Sequence, residues 1–233
     1  MTYQVPTSAN IELNIDQAKS WSFRLDDIDA VQSDLDLMNK FAADAGERLK
    51  IAIDTDCFDY ISTLAHADNI GDTAGAISNN INLGKATAPV SVTSSNATDL
   101  IVDVNSVLDE ANIPSENRWI VIPAWFAALL KKGDLKSADI TGDSTGLIRS
   151  GVLGMIDRTM VIQSNLLKHV TDTVECFYIM AGTKEAVTFA NQLVKTESIR
   201  LQESFGDAMR GLSVYGRAVV QPKALSCLYA TKG

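Results

Sequence analysis

The residues able to do chemistry are few in this 233-residue sequence: two histidines, three cysteines and several groups of carboxylates. His66 and His169 stand neither in an H-E-x-x-H arrangement nor beside a nucleophile. A histidine acting as a general base needs a positioned partner, so both are read as surface or structural residues. Cys57, Cys176 and Cys227 are far apart, with no C-x-x-C pair and no Cys/His cluster. That excludes a disulfide framework and a zinc site, and each thiol, set among apolar neighbours, acts as a small hydrophobe in a reducing compartment. Asp26, Asp27 and Asp29 precede a long helical pattern, and Asp54, Asp56 and Asp59 lie inside it. A divalent cation wants several oxygens converging in space, and the first trio converges only across a sharp backbone turn. Solvated or ion-paired acids are the simpler reading.

No G-x-S-x-G elbow is present. The segment "TGDSTGLIRSG" lacks the G-K-[ST] that reaches phosphates and magnesium, and is read as a surface loop. "DITGDSTG" has neither the turn glycine nor the closing glutamate of a calcium loop. No catalytic residue, metal ligand or cofactor is assigned. From an enzymatic or ligand-binding class, the remaining possibility is a site assembled from Asp26, Asp54 and one histidine.

Behind these residues stand strongly patterned elements. Ile11, Leu13 and Ile15, then Trp21, Phe23 and Leu25, alternate with polar residues, so a strand in two pieces is expected, broken near Asp16-Gln17. From about 33 to 64 the period becomes helical, with Leu35, Met38, Phe41, Ala42, Ala45, Leu49, Ala52, Ile53 and Phe58 on one side and Ser33 or Asp34 as N-cap. Such a helix, roughly 45 Å long, would be a spine. Residues 66–97, rich in Gly, Ser, Thr and Asn, read as loops with a short strand or a mobile excursion. Thr98 is expected to cap a helix running to Ala111. "RWIVIP" reads as a strand buried on both sides, and Pro123 as the first position of a helix stopped by Gly133. A glycine-rich loop, strands at 159–164 and 174–181, and three late strands follow. Without regular βαβ alternation the class is α+β.

The whole-chain numbers narrow function further. A net charge of −9 opposes gripping DNA or RNA, whose affinity for proteins rests on Lys and Arg neutralising phosphates. No apolar run is long enough for a membrane helix, and the first 16 residues lack the basic and apolar regions of a signal peptide. A soluble protein with no membrane partner is expected.

The segment "LDEANIPSENRWIVIPAWFAALLKKGDL", followed by "GLIRSGVLGMIDRTMVIQSNLL", resembles the major capsid (coat) proteins of tailed phages. In that family a helix ends in L-D-E-x-x-(I/V)-P, and R-W-(I/V)-V-x-P and a short helix follow. A G-x-(I/L)-G step then leads to a strand ending in Ser-Asn. The matching residues are Leu108-Asp109-Glu110, Arg118-Trp119, Gly151 to Gly154, and Ser164-Asn165. The opening "TYQVPTSANIELNIDQAKSWSFRLDDIDAVQSDLDLM" and the closing "MRGLSVYGRAVVQPKALSCLYA" are similar to the family's approach to its spine helix and to its last strands.

The resemblance implies an HK97-like capsid fold, shared with encapsulins and herpesvirus capsid floors. A peripheral domain would take 1–95 plus 184–216, with the spine helix and a remnant of the extended loop. An axial domain would take 96–183 plus 217–233. The likeness begins within the family's returning loop strand, so the N-terminal arm and part of the extended loop are expected to be missing. The implied function is a self-assembling subunit of an icosahedral phage shell, not an enzyme. It would form pentamers and hexamers around double-stranded DNA held non-specifically. Scaffolding, portal and decoration proteins would be its partners, the virion capsid its location and the host cytoplasm its place of assembly. Arg24, Asp26, Asp27 and Asp29 are candidate inter-subunit contacts. An encapsulin-like compartment shell is the alternative within the fold.

Overall fold

A computed structural model of the chain describes residues 11–32, 36–133, 154–171, 174–202 and 204–233. Two compact units are formed by the described residues of Met1–Leu49 with Thr188–Val220, and of Lys50–Val187 with Gln221–Gly233.

The first unit is built on a three-stranded sheet in the order β1-β9-β8, with β1 at Gln17–Asp26, β8 at Val187–Arg200 and β9 at Gly206–Val219. The period-2 pattern of β1 places Lys19, Trp21, Phe23 and Leu25 on the more covered face and Ala18, Ser20, Ser22 and Arg24 in solvent. Trp21 lies opposite Gly211 in the antiparallel register. A methyl group at Gly211 would sit 2.4 Å from the indole nitrogen, so glycine makes room for the ring. Trp21 stacks on Phe23, whose ring meets Phe41 edge-on at 5.8 Å, fixing the helix over this face. Residues 11–16 do not form the expected first strand piece. They run close past β9, where Gly216 leaves no space beside the Asn14 carbonyl, but form no ladder.

The expected spine is one helix, α2 at Leu37–Ile61, and a separate short helix, α1 at Asp27–Gln32, precedes it. The expected cap residues Ser33 and Asp34 lie outside the described residues. At 25 residues α2 is about 37 Å long. It stops before residue 64 because Ser62 Oγ and Thr63 Oγ1 turn back onto the Asp59 and Tyr60 carbonyls. Among the described residues of α2, Ile61 alone is buried, while Phe41 and Ile51 are 45% and 49% exposed. Its anticipated apolar side is thin because alanines and Gly46 fill much of it.

The second unit carries a mixed sheet in the order β2-β10-β7-β3-β5-β4, with β6 also paired to β7. The strands are β2 (Val90–Val92), β3 (Arg118–Ile122), β4 (Met155–Ile156), β5 (Thr159–Gln163), β6 (His169–Thr171), β7 (Glu175–Thr183) and β10 (Leu225–Lys232). β2 runs parallel to β10, and β3 parallel to β5. The stretch Leu225–Ala230, apolar but for Ser226, is buried throughout because β10 is flanked by β2 and β7. Helices α3 (Ala97–Glu110) and α4 (Ala124–Lys132) bury apolar stripes made of Leu100, Ile101, Val104, Val107 and Leu108, and of Phe126, Ala127 and Leu130. Each large side chain so removed from water contributes about 1.5–3 kcal/mol.

Helix starts differ from expectation. α3 begins at Ala97 with Asn96 rather than Thr98 in the cap position. The Asn96 amide does not cap; it accepts from Thr93 N–H and donates to the Ser91 carbonyl, closing the preceding turn. Pro123 is itself the cap residue of α4, in extended geometry, and Gly133 ends the helix as expected.

The polar segment 66–97 is a pinned loop region. It contains a one-turn helix at Ala67–Asn69, the strand β2, and bridges joining Ala74 to Ile81 and Lys85 to Ala88. Asn69 is buried, its amide donating to the Lys223 and Leu225 carbonyls. The expected glycine-rich loop falls mostly in 134–153, outside the described residues.

Candidate functional site

The segment from Leu108 to Asn117, running into β3, surrounds a buried arginine. Arg118 opens an apolar strand, and its side chain is wholly inaccessible. Burying a guanidinium is tolerable only when its donors are matched. Here Nε donates to the Pro114 carbonyl at 3.1 Å and Nη1 to the Asn105 carbonyl at 3.3 Å. Nη2 reaches both the Ile113 carbonyl and Asp109 Oδ1 at 2.6 Å. The other Asp109 oxygen accepts from Arg158 at 3.2 Å.

Those carbonyls are available because α3 ends in a Schellman arrangement. Asn112 takes a left-handed φ of 56°, with Ile113 N–H donating to the Leu108 carbonyl and Asn112 N–H to that of Asp109. The same node anchors the β4–β5 turn. Asp157 and Arg158 both have positive φ (45° and 62°), the geometry of a two-residue type I′ hairpin. Buried Asn105 donates to the Asp157 carbonyl and carboxylate and accepts from Thr159 Oγ1 at 2.8 Å. One helix, one loop and one hairpin are thus tied at a single guanidinium.

Glu110, next to Asp109, faces another partner. One of its oxygens accepts from the N–H groups of Ile77 and Ser78, both at 2.9 Å, fastening the 75–78 turn to α3. Gly75 sits there at φ 108°, where a methyl group would lie 2.7 Å from that carboxylate. These donors hold the Glu110 carboxyl below its ordinary value, the Ser78 N–H first. A depressed folded-state value means the tether is fully present above the ordinary value of 4.5 and is lost as pH falls through the folded one. Amide protection of Ile77 and Ser78 is therefore expected to collapse before that of β10 as the pH falls below 4.5. Glu110→Ala should remove the protection at neutral pH, as hydrogen exchange can check.

The Ser-Asn pair after β5 also acquires a role. Ser164 N–H donates to the Ile122 carbonyl, and Asn165 Oδ1 accepts from Ala124 N–H at 2.9 Å. Asn165 supplies the helix cap that Pro123 cannot. None of this pairing was visible as spacing; the signals were the family resemblance of these residues and a charged residue at the head of an apolar strand.

The other candidates fall as follows. Arg24 is exposed on β1, Asp26 ends that strand opposite Gly206, and Asp29 is exposed in α1. Asp27 is held within its own unit by Arg200, whose guanidinium grips both carboxylate oxygens and also reaches Asp207 at 3.2 Å. Arg200 holds the Asp27 carboxyl below its usual range. Asp54 and Asp59 are exposed on α2, and among the described residues no three His, Cys, Asp or Glu side chains converge on a metal position. His66 caps the Ala67–Asn69 turn, its Nδ1 accepting from Asp68 N–H, and His169 packs on Phe177. Cys57 is half-buried and the other two cysteines are buried. Burial pushes the Cys227 thiol up to about 12, which leaves it inert. A cleft of about 200 Å³ is lined by Tyr178, Tyr229 and Cys227, with Lys85 engaged by Asp72.

The matched residues of this unit build shape. Comparison with known proteins agrees. The phage capsid protein family model matches residues 17–228. A chain of Mycobacterium phage Che8 is 29% identical with a TM-score of 0.73, the match covering 95% of this chain and 76% of that one. The capsid of cyanophage P-SCSP1u is 16% identical with a TM-score of 0.64 over 100% and 80% of the two chains. A virus-like particle from Pyrococcus furiosus shares the fold at 15% identity and a TM-score of 0.55, covering 91% and 75%. Comparison with curated proteins yields no match. With its HK97-like fold and a family match over nearly its whole length, the chain belongs to the phage capsid proteins and is a structural subunit of a capsid shell.

Proposed function

We propose that this shell subunit closes into pentamers and hexamers that tile an icosahedral capsid around double-stranded DNA, and that it performs no catalytic step. The observation carrying the proposal is α2: a 25-residue helix with a single buried side chain leaves its flanks for other subunits. Heterologous contacts between identical chains build either closed rings or open filaments, and a shell requires the closed form. The smaller unit, with the long hairpin and the start of α2, takes the peripheral position. The larger unit takes the axial one.

Arg24, Asp26 and Asp29 remain candidates for contacts between copies, with Asp27 working through the ion pair it makes with Arg200. A net charge of −9 allows DNA to be packed without adhering to the wall. Assembly would take place in the host cytoplasm with scaffolding, portal and decoration proteins. Electron microscopy of the purified full chain tests the reading through the presence or absence of closed shells.

A further inference from the structure

The outer edge of β8 is unpaired among the described residues, because β8 ends the path β1-β9-β8. It is 14 residues long and contains no proline. Lys195, Thr196, Ser198, Ile199 and Arg200 are exposed along it. Such an edge is a template for another strand unless its side chains forbid pairing. A lone lysine would forbid it. Here Lys195 and Glu197 share one face of the strand, centred on Thr196, and that pattern is its own complement.

In an antiparallel pair of two β8 strands, positions opposite each other have a constant sum. With Thr196 opposite Thr196 of the second strand, Lys195 meets Glu197 twice, Gln192 meets Arg200, and Ile199, 42% exposed, falls opposite position 193. Shifting the sum by two in either direction sets lysine against lysine or glutamate against glutamate, which is unfavourable across a ladder. Glu197 is ionised at any working pH, since Lys195 and Arg210 hold its carboxyl down at about 2.

We propose that β8 pairs with β8 of a second copy of this chain, antiparallel and centred on Thr196, at the two-fold contacts of the shell. This is an isologous contact, in which each residue and its opposite exchange roles. It rests on the shell reading and names one surface of it.

The test is cysteine cross-linking of assembled full-length chain carrying Cys57→Ser, with Cys176 and Cys227 buried. In Thr196→Cys the two α-carbons would be about 4.5–5.5 Å apart, within disulfide reach. In Ser198→Cys they would be about 13 Å apart. Expected on a non-reducing gel is a covalent dimer for Thr196→Cys and monomer for Ser198→Cys. Adding Lys195→Glu to Thr196→Cys should cut the dimer yield several-fold without loss of the folded subunit's melting transition. Shells whose Thr196→Cys chains stay monomeric, or in which Ser198→Cys cross-links equally, overturn the pairing and leave the shell reading standing. A parent chain that forms no shells or capsomers overturns both.

Discussion

Replacing Arg118 with methionine is expected to destabilise the subunit by about 3–5 kcal/mol. The side chain that leaves is fully buried, and it takes with it four hydrogen bonds to Asp109 and to the carbonyls of Pro114, Asn105 and Ile113. Methionine fills most of the volume but donates nothing, so three carbonyls lose their donor. Asp109 is 46% exposed and can turn to water or to Arg158. Asp109→Asn should cost less, about 1–2 kcal/mol, because an amide oxygen still accepts from the buried guanidinium at the exposed end of the pair. Urea unfolding of the two variants measures the difference. Equal midpoints would mean that the arginine's carbonyl bonds add nothing beyond its pairing with Asp109.

The second large effect is expected at Gly84. Its φ is 75°, a left-handed conformation, and a methyl group there would lie 2.3 Å from the Tyr229 carbonyl oxygen. Leu83 and Gly84 press against β10, with Tyr229 N–H donating to the Leu83 carbonyl at 2.8 Å. Backbone strain of about 1 kcal/mol adds to an overpacking cost of about 1–3 kcal/mol. Gly84→Ala should lose about 2–4 kcal/mol, again read from urea unfolding. Gly71→Ala is the control: it also has positive φ, but nothing lies within 4 Å of an added methyl group, so strain alone should remain.

Much of the second unit was legible in sequence because its signals are local. The stripe from Leu100 to Leu108, the run Arg118–Ile122 and the late strand Leu225–Ala230 each declare period and burial without knowledge of their neighbours. Element ends were less legible, because satisfaction of helix ends comes from distant residues. Asn165, 41 positions away, caps α4, and Asn96 serves a preceding turn instead of its helix. The long helical period from 33 to 64 overstated one element, since its alanines fit any helix but bury little.

The site was the least legible part. "LDE" and "RW" could be matched to a family, yet the reason for Asp109 and Arg118 is a contact across nine residues closed by a Schellman turn. Alternation along β1 showed which residues share a face, whereas the engagement of Asp27 by Arg200 spans 173 positions and has no sequence signature.

Electron microscopy of the purified full-length chain is the most direct measurement of the shell-building role. Closed icosahedral particles with five- and six-membered rings, holding nuclease-protected DNA, are the expected result. Particles filled with a cargo protein would move the chain to a compartment shell. A monodisperse monomer, stable at high concentration and shifted in melting temperature by a small-molecule substrate, would contradict it.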